Sequence, residues 1–239
     1  MATLSKEART KLESCSTATL TTLLFKRGLN KQFIQNVYPV GVYSKSMVGE
    51  AFTLRTIPAR EDLNPITVFR NPDNPQRKAV ETCPAGHVLV IDSRKDARAA
   101  SAGGILITRL MKRGVAGVVT DGGFRDSHEI AKLDFPAYHS RPSAPTNLTV
   151  HQPIEMNVPI ACGDAPVFPG DILVGDGEGV VVLPADIAEE LAHEAFDMTV
   201  FEDFVLERVN AGASIVGLYP PTDPRTEVEF AKWRESKGR

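Results

Sequence analysis

The sequence has few cysteines and no cluster of basic residues. Its three cysteines (Cys15, Cys83 and Cys162) are far apart and show no Cys-x-x-Cys spacing. This argues against a disulfide framework and a structural zinc site, and it is typical of a reducing compartment. No segment concentrates lysine and arginine, and the formal net charge is -3, so nucleic acid is not expected as the main partner.

Long apolar runs are also absent. No stretch reaches the ~18 apolar residues that a membrane span requires. The polar segment from Met1 to Glu13 lacks the apolar core of a secretory signal. We therefore predict a cytoplasmic protein with no membrane partner. With 42% hydrophobic residues among 239, the chain is long enough to bury a sizeable core.

A strand, a helix and a second strand follow one another in the middle of the chain. His87 to Asp92 and Val115 to Thr120 are short apolar runs, which are typical of buried strands. Between them, Ile105 to Arg113 carries apolar residues at helical spacing and precedes Gly114, a common residue just past a helix end. This order predicts a βαβ unit in an α/β fold.

Other segments are assigned by their apolar patterns. Met47 to Ile57 alternates as a strand does, and Ser5 to Phe25 has a helical rhythm. Pro58 to Arg77 is rich in proline, asparagine and aspartate and predicts a long loop. Gly175 to Gly179 lies between two apolar runs as a hairpin turn, and Ala185 to Val209 forms a long amphipathic helix.

The first loop of the βαβ unit can hold an acidic ligand. Loops at the carboxyl ends of parallel strands face one edge, where ligands gather. Here the loop ends in Gly103 and Gly104 directly before the helix. Because the first N–H groups of a helix lack internal partners, those of Gly103, Gly104, Ile105 and Leu106 can bind a carboxylate. The alternative is that the two glycines only make a tight turn.

The second loop combines a cation with two carboxylates. Arg125 offers a planar guanidinium to a developing oxyanion, and Asp126 and Glu129 offer hard oxygen ligands for Mg²⁺ or Mn²⁺. If a helical turn starts at Asp126, both carboxylates share one face and can hold one metal. A solvated surface pair of little energetic consequence is the alternative. The nearby glycines favour a site.

The run GGILITRLMKRGVAGVVTDGGFRDSHE resembles the RraA-like family. That family includes class II pyruvate aldolases acting on 4-hydroxy-4-methyl-2-oxoglutarate, oxaloacetate decarboxylases, and regulators of ribonuclease E activity. Its signature has the form G-x20-R-D-x2-E/D, and Gly104, Arg125, Asp126 and Glu129 fill the fixed positions. PAGHVLVID and VFPGDILVGDGEGVVVLP extend the resemblance over most of residues 10–210.

The resemblance implies an architecture. We expect a swivelling β/β/α domain of the phosphohistidine type, built around the βαβ unit. A single RraA-like catalytic domain is predicted over residues 1–218, and a tail with a short helix over residues 219–239. The family also implies a homotrimer or a dimer of trimers.

The resemblance implies an activity as well. We expect a metal-dependent lyase that cleaves a small 2-oxo acid, by aldol cleavage or oxaloacetate decarboxylation, through a pyruvate enolate. Arg125 and Asp126 are then catalytic, and Mg²⁺ or Mn²⁺ is bound by Asp126 and Glu129. Substrate binding falls to Arg125 and to the segment from Gly103 to Leu106.

The chain departs from the family pattern at several positions. Thr22 and His87 stand where the family has aspartate, and Gly104 stands where the better characterised aldolases have aspartate. The loop from Asp62 to Lys78 is longer than the family's and is expected to shape a different pocket. Both a 4-hydroxy-2-oxo acid and a 2-oxo-3-deoxy sugar acid are therefore open as substrates.

Other functions and residues compete with this interpretation. A non-catalytic regulator that binds ribonuclease E can retain the same motif. A methyltransferase is disfavoured, because no glycine-rich cofactor loop follows a first strand. A Schiff-base aldolase needs a buried lysine. His139 and Arg141 are candidates for the distal pocket, with a structural loop role as the alternative. The lysines near the site are expected to be solvated: Lys95, Lys112 and Lys132.

Overall fold

Residues 4–239 are described by a computed structural model. Within this range the helices are α1 (Lys6–Glu13), α2 (Thr17–Lys26), α3 (Pro75–Thr82), α4 (Gly104–Lys112), α5 (Ser127–Ile130), α6 (Ala185–Asn210) and α7 (Pro224–Lys237). The strands of this range are β1 (Tyr38–Pro39), β2 (Met47–Pro58), β3 (His87–Asp92), β4 (Ala100–Ala102), β5 (Gly117–Thr120), β6 (Gly123–Phe124), β7 (Ala137–His139), β8 (Arg141–Pro142), β9 (His151–Met156), β10 (Ile160–Cys162), β11 (Ala165–Val167), β12 (Ile172–Gly175) and β13 (Val180–Leu183). Short 3₁₀ turns cover Ile66–Arg70 and Asn147–Thr149.

The largest sheet is organised around β2. Its strand order is β1-β7-β5-β3-β2-β12-β13, and β9 pairs with the second half of β2. The strands β2, β3, β5 and β7 are parallel to one another. The strands β12, β13 and β9 add antiparallel pairs at the other side of β2. Two smaller sheets, β4-β6-β8 and β10-β11, complete the strands.

The predicted βαβ unit and α/β fold are confirmed. Strands β3 and β5 pair in parallel from Val88 opposite Gly117 to Ile91 opposite Thr120, with α4 in the crossover. Gly114 follows α4 with a φ of +75°, in the left-handed region that favours glycine. The predicted hairpin and the long helix α6 are also present.

Helices cover one face of the main sheet. The apolar sides of α1, α2 and α6 pack together on β12 and β13. The helices α3 and α4 cover β3 and β5 on the same face. The opposite face of the sheet packs against the hairpin of β10 and β11. At the far end of α6, Phe204 packs against Phe230 and Trp233 of α7, so residues 219–239 lie on α6. The domain boundary after residue 218 stays a prediction.

No helix formed by residues 4–239 combines the length and apolar character needed to cross a bilayer.

Two predicted boundaries are wrong for local reasons. The segment predicted as one helix from Ser5 to Phe25 is two helices, because the Ser16 hydroxyl accepts a hydrogen bond from the Thr19 N–H (3.0 Å) and caps α2. The loop predicted up to Arg77 ends early. The Asn74 side chain caps α3 by accepting from the Gln76 N–H (3.1 Å), and Pro75 fits the first helical position.

Candidate active site

The two loops predicted to form a site are joined by backbone hydrogen bonds. Strand β4, which ends just before Gly103, pairs in parallel with β6, which ends just before Arg125. The Arg125 N–H donates to the Ala102 carbonyl (3.1 Å), and the Gly104 N–H donates to Asp126 Oδ2 (3.1 Å). The Gly-Gly turn and the Arg-Asp pair therefore lie on one edge of the sheet, in direct contact.

Gly103 leaves the space through which the Arg125 side chain passes. A Cβ atom at position 103 would lie 2.6 Å from Arg125 Cγ and 2.9 Å from Arg125 Cδ. Backbone conformation does not require glycine here, because the φ of −135° is open to any residue. At Gly104 a Cβ would meet its nearest atom, Asp126 Cβ, at an ordinary contact distance of 3.4 Å. Glycine is therefore required at position 103 because a side chain there would clash with Arg125.

Asp126 is held in an uncommon conformation with one oxygen free. Its φ of 61° lies in the left-handed region, where aspartate is tolerated better than most residues. It caps the short helix α5, but the carboxylate turns to α4, where Oδ2 accepts from Gly104 and lies 3.7 Å from Arg125 Nε. Within residues 4–239, Oδ1 accepts no hydrogen bond, and the side chain is 46% exposed. A free hard oxygen therefore faces solvent.

Glu129 follows on the predicted helical turn but has basic side chains of its own as partners. Its Oε1 lies 2.9 Å from Lys132 Nζ and 3.2 Å from His128 Nε2. The hydrogen bond from Lys132 lowers the pKa of the Glu129 carboxyl. Glu129 and Asp126 border one shallow depression beside α4. Direct metal ligation by Glu129 stays a prediction.

A cavity of about 180 Å³, which we call the edge cavity, opens where the two loops meet. The structure brings most of the predicted site residues to its wall. The contributors from the Gly-Gly loop and the Arg-Asp pair are Gly103, Ile105, Leu106, Arg125 and Asp126. The N-cap residue Gly103 has no side chain to cap α4, and the Asp126 carboxylate takes the Gly104 N–H. The N–H groups of Ile105 and Leu106 therefore remain open to an anion beside the Arg125 guanidinium.

Seven residues that line the edge cavity were not named as site residues, and besides Ala100, Ala102 and Thr146 they include four with longer side chains. Three of these four lie in the loop from Asp62 to Lys78, which was expected to shape the pocket. Phe69, Gln76 and Arg77 come from the 3₁₀ turn and α3, and Asn147 follows β8. The capping pair Asn74-Pro75 was the available signal for α3, although nothing local to the sequence indicates that its first turn approaches α4. Gln76 Nε2 donates to the Ser101 carbonyl and anchors α3 to the Gly-Gly loop.

A buried polar layer supports the two loops. The Asp121 carboxylate accepts hydrogen bonds from the N–H groups of Ser93 (2.7 Å), Lys95 (3.0 Å) and Gly163 (3.2 Å). Burial raises the pKa of Asp121. Beside it, the hydroxyl of Ser93 lies 2.6 Å from that of Ser101 and 3.0 Å from that of Thr120. These bonds tie the loop after β3 to the loop after β5.

Other nucleophile candidates lie away from the edge cavity. The three cysteines are buried and free, and burial raises the pKa of the Cys83 thiol to about 12, so the reactive thiolate is disfavoured. The lysines predicted to be solvated are indeed exposed: Lys95, Lys112 and Lys132. His139 is buried and stacks on Phe124 at 5.5 Å, and Arg141 is exposed on β8, so neither lines the distal pocket as had been considered.

The donor set at the edge cavity fits a hard divalent cation. Residues 4–239 contain no cluster of three or more histidine, cysteine, aspartate or glutamate side chains in a metal-holding arrangement. However, Mg²⁺ in proteins commonly takes one or two carboxylates and completes its shell with water and substrate oxygens. The free Oδ1 of Asp126, next to a cavity open to solvent, meets this requirement. Identity of the metal stays a prediction.

Comparison with known proteins gives a family match. The model of the family described as RraA-like, Aldolase/RraA, matches residues 17–182. A Halalkalibacterium halodurans protein, named provisionally as a 4-hydroxy-4-methyl-2-oxoglutarate aldolase, is 35% identical over 121 residues (49% of this chain, 56% of that protein). The Thermus thermophilus 4-hydroxy-4-methyl-2-oxoglutarate aldolase is 32% identical over 108 residues (45% of this chain, 65% of that protein). The chain thus spans less than two thirds of the length of these curated relatives.

Solved structures share the fold over more of the chain. An uncharacterized protein from Pseudomonas syringae pv. tomato has a TM-score of 0.76 at 21% identity, covering 92% of this chain and 100% of that chain. Streptomyces coelicolor RraAS2, described as an unusual member of the RNase ES inhibitor RraA protein family, has a TM-score of 0.74 at 26% identity, covering 85% and 98%. These likenesses confirm the predicted swivelling β/β/α fold.

Proposed function

This chain belongs to the RraA-like family, and we propose that it is a divalent-metal-dependent lyase that breaks a carbon–carbon bond of a 2-oxo acid. The reaction is aldol cleavage of a 4-hydroxy-2-oxo acid, oxaloacetate decarboxylation, or both, and its product is pyruvate formed through the enolate. The observation that carries this proposal is the contact of Arg125 and Asp126 with the segment from Ala102 to Gly104, where α4 begins, at the wall of one cavity.

Different residues of the chain bind the substrate and the metal. The open amides of the first turn of α4, around Ile105 and Leu106, bind the 1-carboxylate of the substrate. Asp126 holds Mg²⁺ or Mn²⁺ through its free oxygen, with Glu129 as a further candidate ligand. When bound, such a cation acts as a Lewis acid on the keto group.

Arg125 stabilises the charge that develops during bond cleavage. As the C3–C4 bond breaks, its electron pair forms the C2–C3 double bond and the π pair of the 2-oxo group moves onto oxygen. The product is an enolate, whose negative charge the Arg125 guanidinium offsets. In aldol cleavage the 4-hydroxyl proton leaves to water and C3 later regains a proton. Among the described residues the cavity wall has no histidine, which favours water as the proton carrier.

A pyruvate-release assay tests the proposal. The wild-type chain is offered oxaloacetate and several 4-hydroxy-2-oxo acids, with Mg²⁺, with Mn²⁺ and with a chelator. We expect pyruvate only when the metal is present. Absence of pyruvate from the whole panel would contradict the proposal.

Removal of Arg125 gives the matched mutational test. Arg125→Ala should lower turnover by about 10²- to 10³-fold, the usual cost of losing an oxyanion-stabilising donor. Arg109→Ala removes the same side chain from α4 outside the edge cavity, where Arg109 pairs with Glu81 (2.8 Å), and should retain activity. Equal turnover in the two variants would remove Arg125 from the mechanism.

A regulatory function is the second candidate, favoured by the similarity to RraAS2. In that case the chain would bind a ribonuclease of the E type and inhibit it without chemistry of its own. Nanomolar binding to the nuclease together with no pyruvate release would favour this function.

Light scattering would test the predicted homotrimer or dimer of trimers. Ile105 is 85% exposed beside the cavity, and a second subunit would cover it.

A further inference from the structure

The edge cavity contains a second arginine that the proposed reaction does not use. Arg77 lies in the first turn of α3 and faces the same cavity as Arg125, which reaches it from the loop after β6. Among the described residues that line this cavity, Asp126 is the one carboxylate. The protein groups at the wall therefore carry a net positive charge, and a bound metal would increase it. Such a cavity favours a ligand with more than one negative charge.

The Arg77 guanidinium has no acidic partner in the described part of the chain. The acidic side chains around it are engaged elsewhere, since Asp73 pairs with Lys78 (3.1 Å) and Glu81 pairs with Arg109 (2.8 Å). Instead, its central carbon lies 4.6 Å from the centroid of the Phe69 ring. Stacking of this kind fixes the plane of the guanidinium while its N–H groups remain available to an anion.

Asn147 provides a second unpartnered donor at the same cavity. The residue is only 4% exposed, and its Nδ2 has no hydrogen-bond partner, whereas its Oδ1 lies 3.4 Å from the Thr146 hydroxyl. A buried N–H group without a partner is costly, and native structures rarely keep one unless a ligand or water satisfies it. Asn147 and Arg77 both offer donors, so an acceptor group would satisfy both.

We propose that Arg77 and Asn147 form a subsite for a second anionic group at the far end of the substrate. These two residues then distinguish 2-oxo acids that carry a distal carboxylate or phosphate from those that end in a neutral group. The reaction at the near end rests on the proposed function, but binding at this subsite is measurable without turnover. Phe69 supports the subsite by holding the plane of Arg77.

Binding of two isosteric acids tests the subsite directly. In 2-oxopentanoate a methyl group replaces the distal carboxylate of 2-oxoglutarate, and neither acid has the 4-hydroxyl needed for aldol cleavage. By calorimetry in Mg²⁺, wild type should bind 2-oxoglutarate about 10- to 100-fold more tightly, the range expected for hydrogen bonds to a charged group. Equal affinities, or no binding of either acid, would overturn the proposal.

Variants assign the selectivity to particular residues. Arg77→Gln should lower the ratio of the two affinities at least tenfold, and Asn147→Ala should lower it by a smaller factor. Arg70→Gln is the matched control, because Arg70 is an exposed arginine of the 3₁₀ turn that precedes α3 and lies outside the cavity wall. Circular dichroism verifies folding of each variant. An unchanged ratio in folded Arg77→Gln, or an equal loss in Arg70→Gln, would contradict the assignment.

Turnover separates this inference from the reaction itself. Pyruvate release is compared for 4-hydroxy-2-oxoglutarate and 4-hydroxy-2-oxopentanoate, and for a 2-oxo-3-deoxy sugar acid with and without a terminal phosphate. A preference for the first pair's dianion identifies a carboxylate, and a preference for the phosphorylated sugar acid identifies a phosphate. If no substrate releases pyruvate but the binding selectivity is intact, the proposed reaction is refuted and the subsite proposal stands.

Discussion

Two aspartates, five positions apart on one connection, have opposite surroundings. Asp121 is 4% exposed, and its carboxylate accepts three backbone N–H groups. Asp126 has a side chain that is 46% exposed, accepts one backbone N–H group and leaves Oδ1 free. The hydrogen bonds of Asp121 are used within the protein, whereas Asp126 retains an oxygen for a ligand.

The difference shows how an exposed loop can hold a metal-ligating carboxylate in a fixed position. Asp121 fastens the loops after β3 and β5 to each other, and the hydroxyls of Ser93, Ser101 and Thr120 extend that connection. Asp126 lies at the end of the region fastened in this way. A carboxylate needs support of this kind to remain placed while exposed to water.

Replacement of Asp126 should have the largest effect, and it should fall on activity. Asp126→Asn keeps the size and the tolerance for a left-handed φ but removes the charge. We expect about a 10³-fold loss of metal-dependent pyruvate release, with the free energy of unfolding within about 1 kcal/mol of wild type. A urea titration of Asp126→Asn measures its stability. Full activity of this variant at low Mg²⁺ would mean that Asp126 does not hold the metal.

Replacement of Asp121 should instead reduce stability. Asp121→Ala leaves three backbone N–H groups unsatisfied in a buried site, and we expect a loss of about 3 kcal/mol in the free energy of unfolding. Urea denaturation of this variant and of Asp126→Asn gives the comparison. If both variants unfolded at the same urea concentration, the contrast between the two aspartates would be wrong.

The two histidines near this connection, His128 and His139, also differ in burial. This difference predicts how the free energy of unfolding depends on pH. Burial lowers the pKa of His139 from 6.5 to about 4, because desolvation disfavours the imidazolium. The unfolded chain therefore takes up the proton first, and His139 should cost stability as pH falls from about 6.5 to about 4.

His139→Gln should remove this dependence. Between pH 7 and pH 4 we expect wild type to lose about 3 kcal/mol more of its unfolding free energy than the variant does. His128, whose side chain is 81% exposed, provides the control, and His128→Gln should follow wild type. Parallel curves for wild type and His139→Gln in urea titrations would show that the buried imidazole does not titrate in this range.

The two glycines before α4 give the smallest effect and the finest test. Gly103→Ala places a methyl group 2.6 Å from Arg125 Cγ, so the arginine must shift, whereas Gly104→Ala meets only ordinary contacts. We expect kcat/KM for pyruvate release to fall about tenfold in Gly103→Ala, since small misplacements of catalytic groups are costly. Gly104→Ala should change it less than twofold. The reverse order would show that the close packing at Arg125 is unimportant.

Much of this fold follows from local sequence patterns. The βαβ unit was predictable because β3 and β5 are short apolar runs around one amphipathic helix, and the edge on which the two loops meet follows from parallel pairing. The break between α1 and α2 depends on one serine cap, which a purely apolar rhythm does not reveal.

The individual residues of the far wall of the edge cavity were not predictable in this way, although the loop from Asp62 to Lys78, which carries Phe69 and Arg77, was expected to shape the pocket. Phe69, Arg77 and Asn147 reach the cavity from segments distant in sequence from Arg125, and only tertiary packing places them there. Their functional interest comes from missing partners, such as the unsatisfied Nδ2 of Asn147, and an unpaired group is a property of the folded chain.

The position of residues 59–74 in the fold has a consequence for how this protein can change. This segment connects β2 to α3, carries Phe69 and contributes no strand to the main sheet. Arg125 and Asp126 follow β6 and are positioned by other parts of the fold. Exchanging it for a shorter or differently charged connection would alter which molecules fit while the bond-breaking groups keep their places. Diversification of substrate range, by evolution or by design, would then begin there.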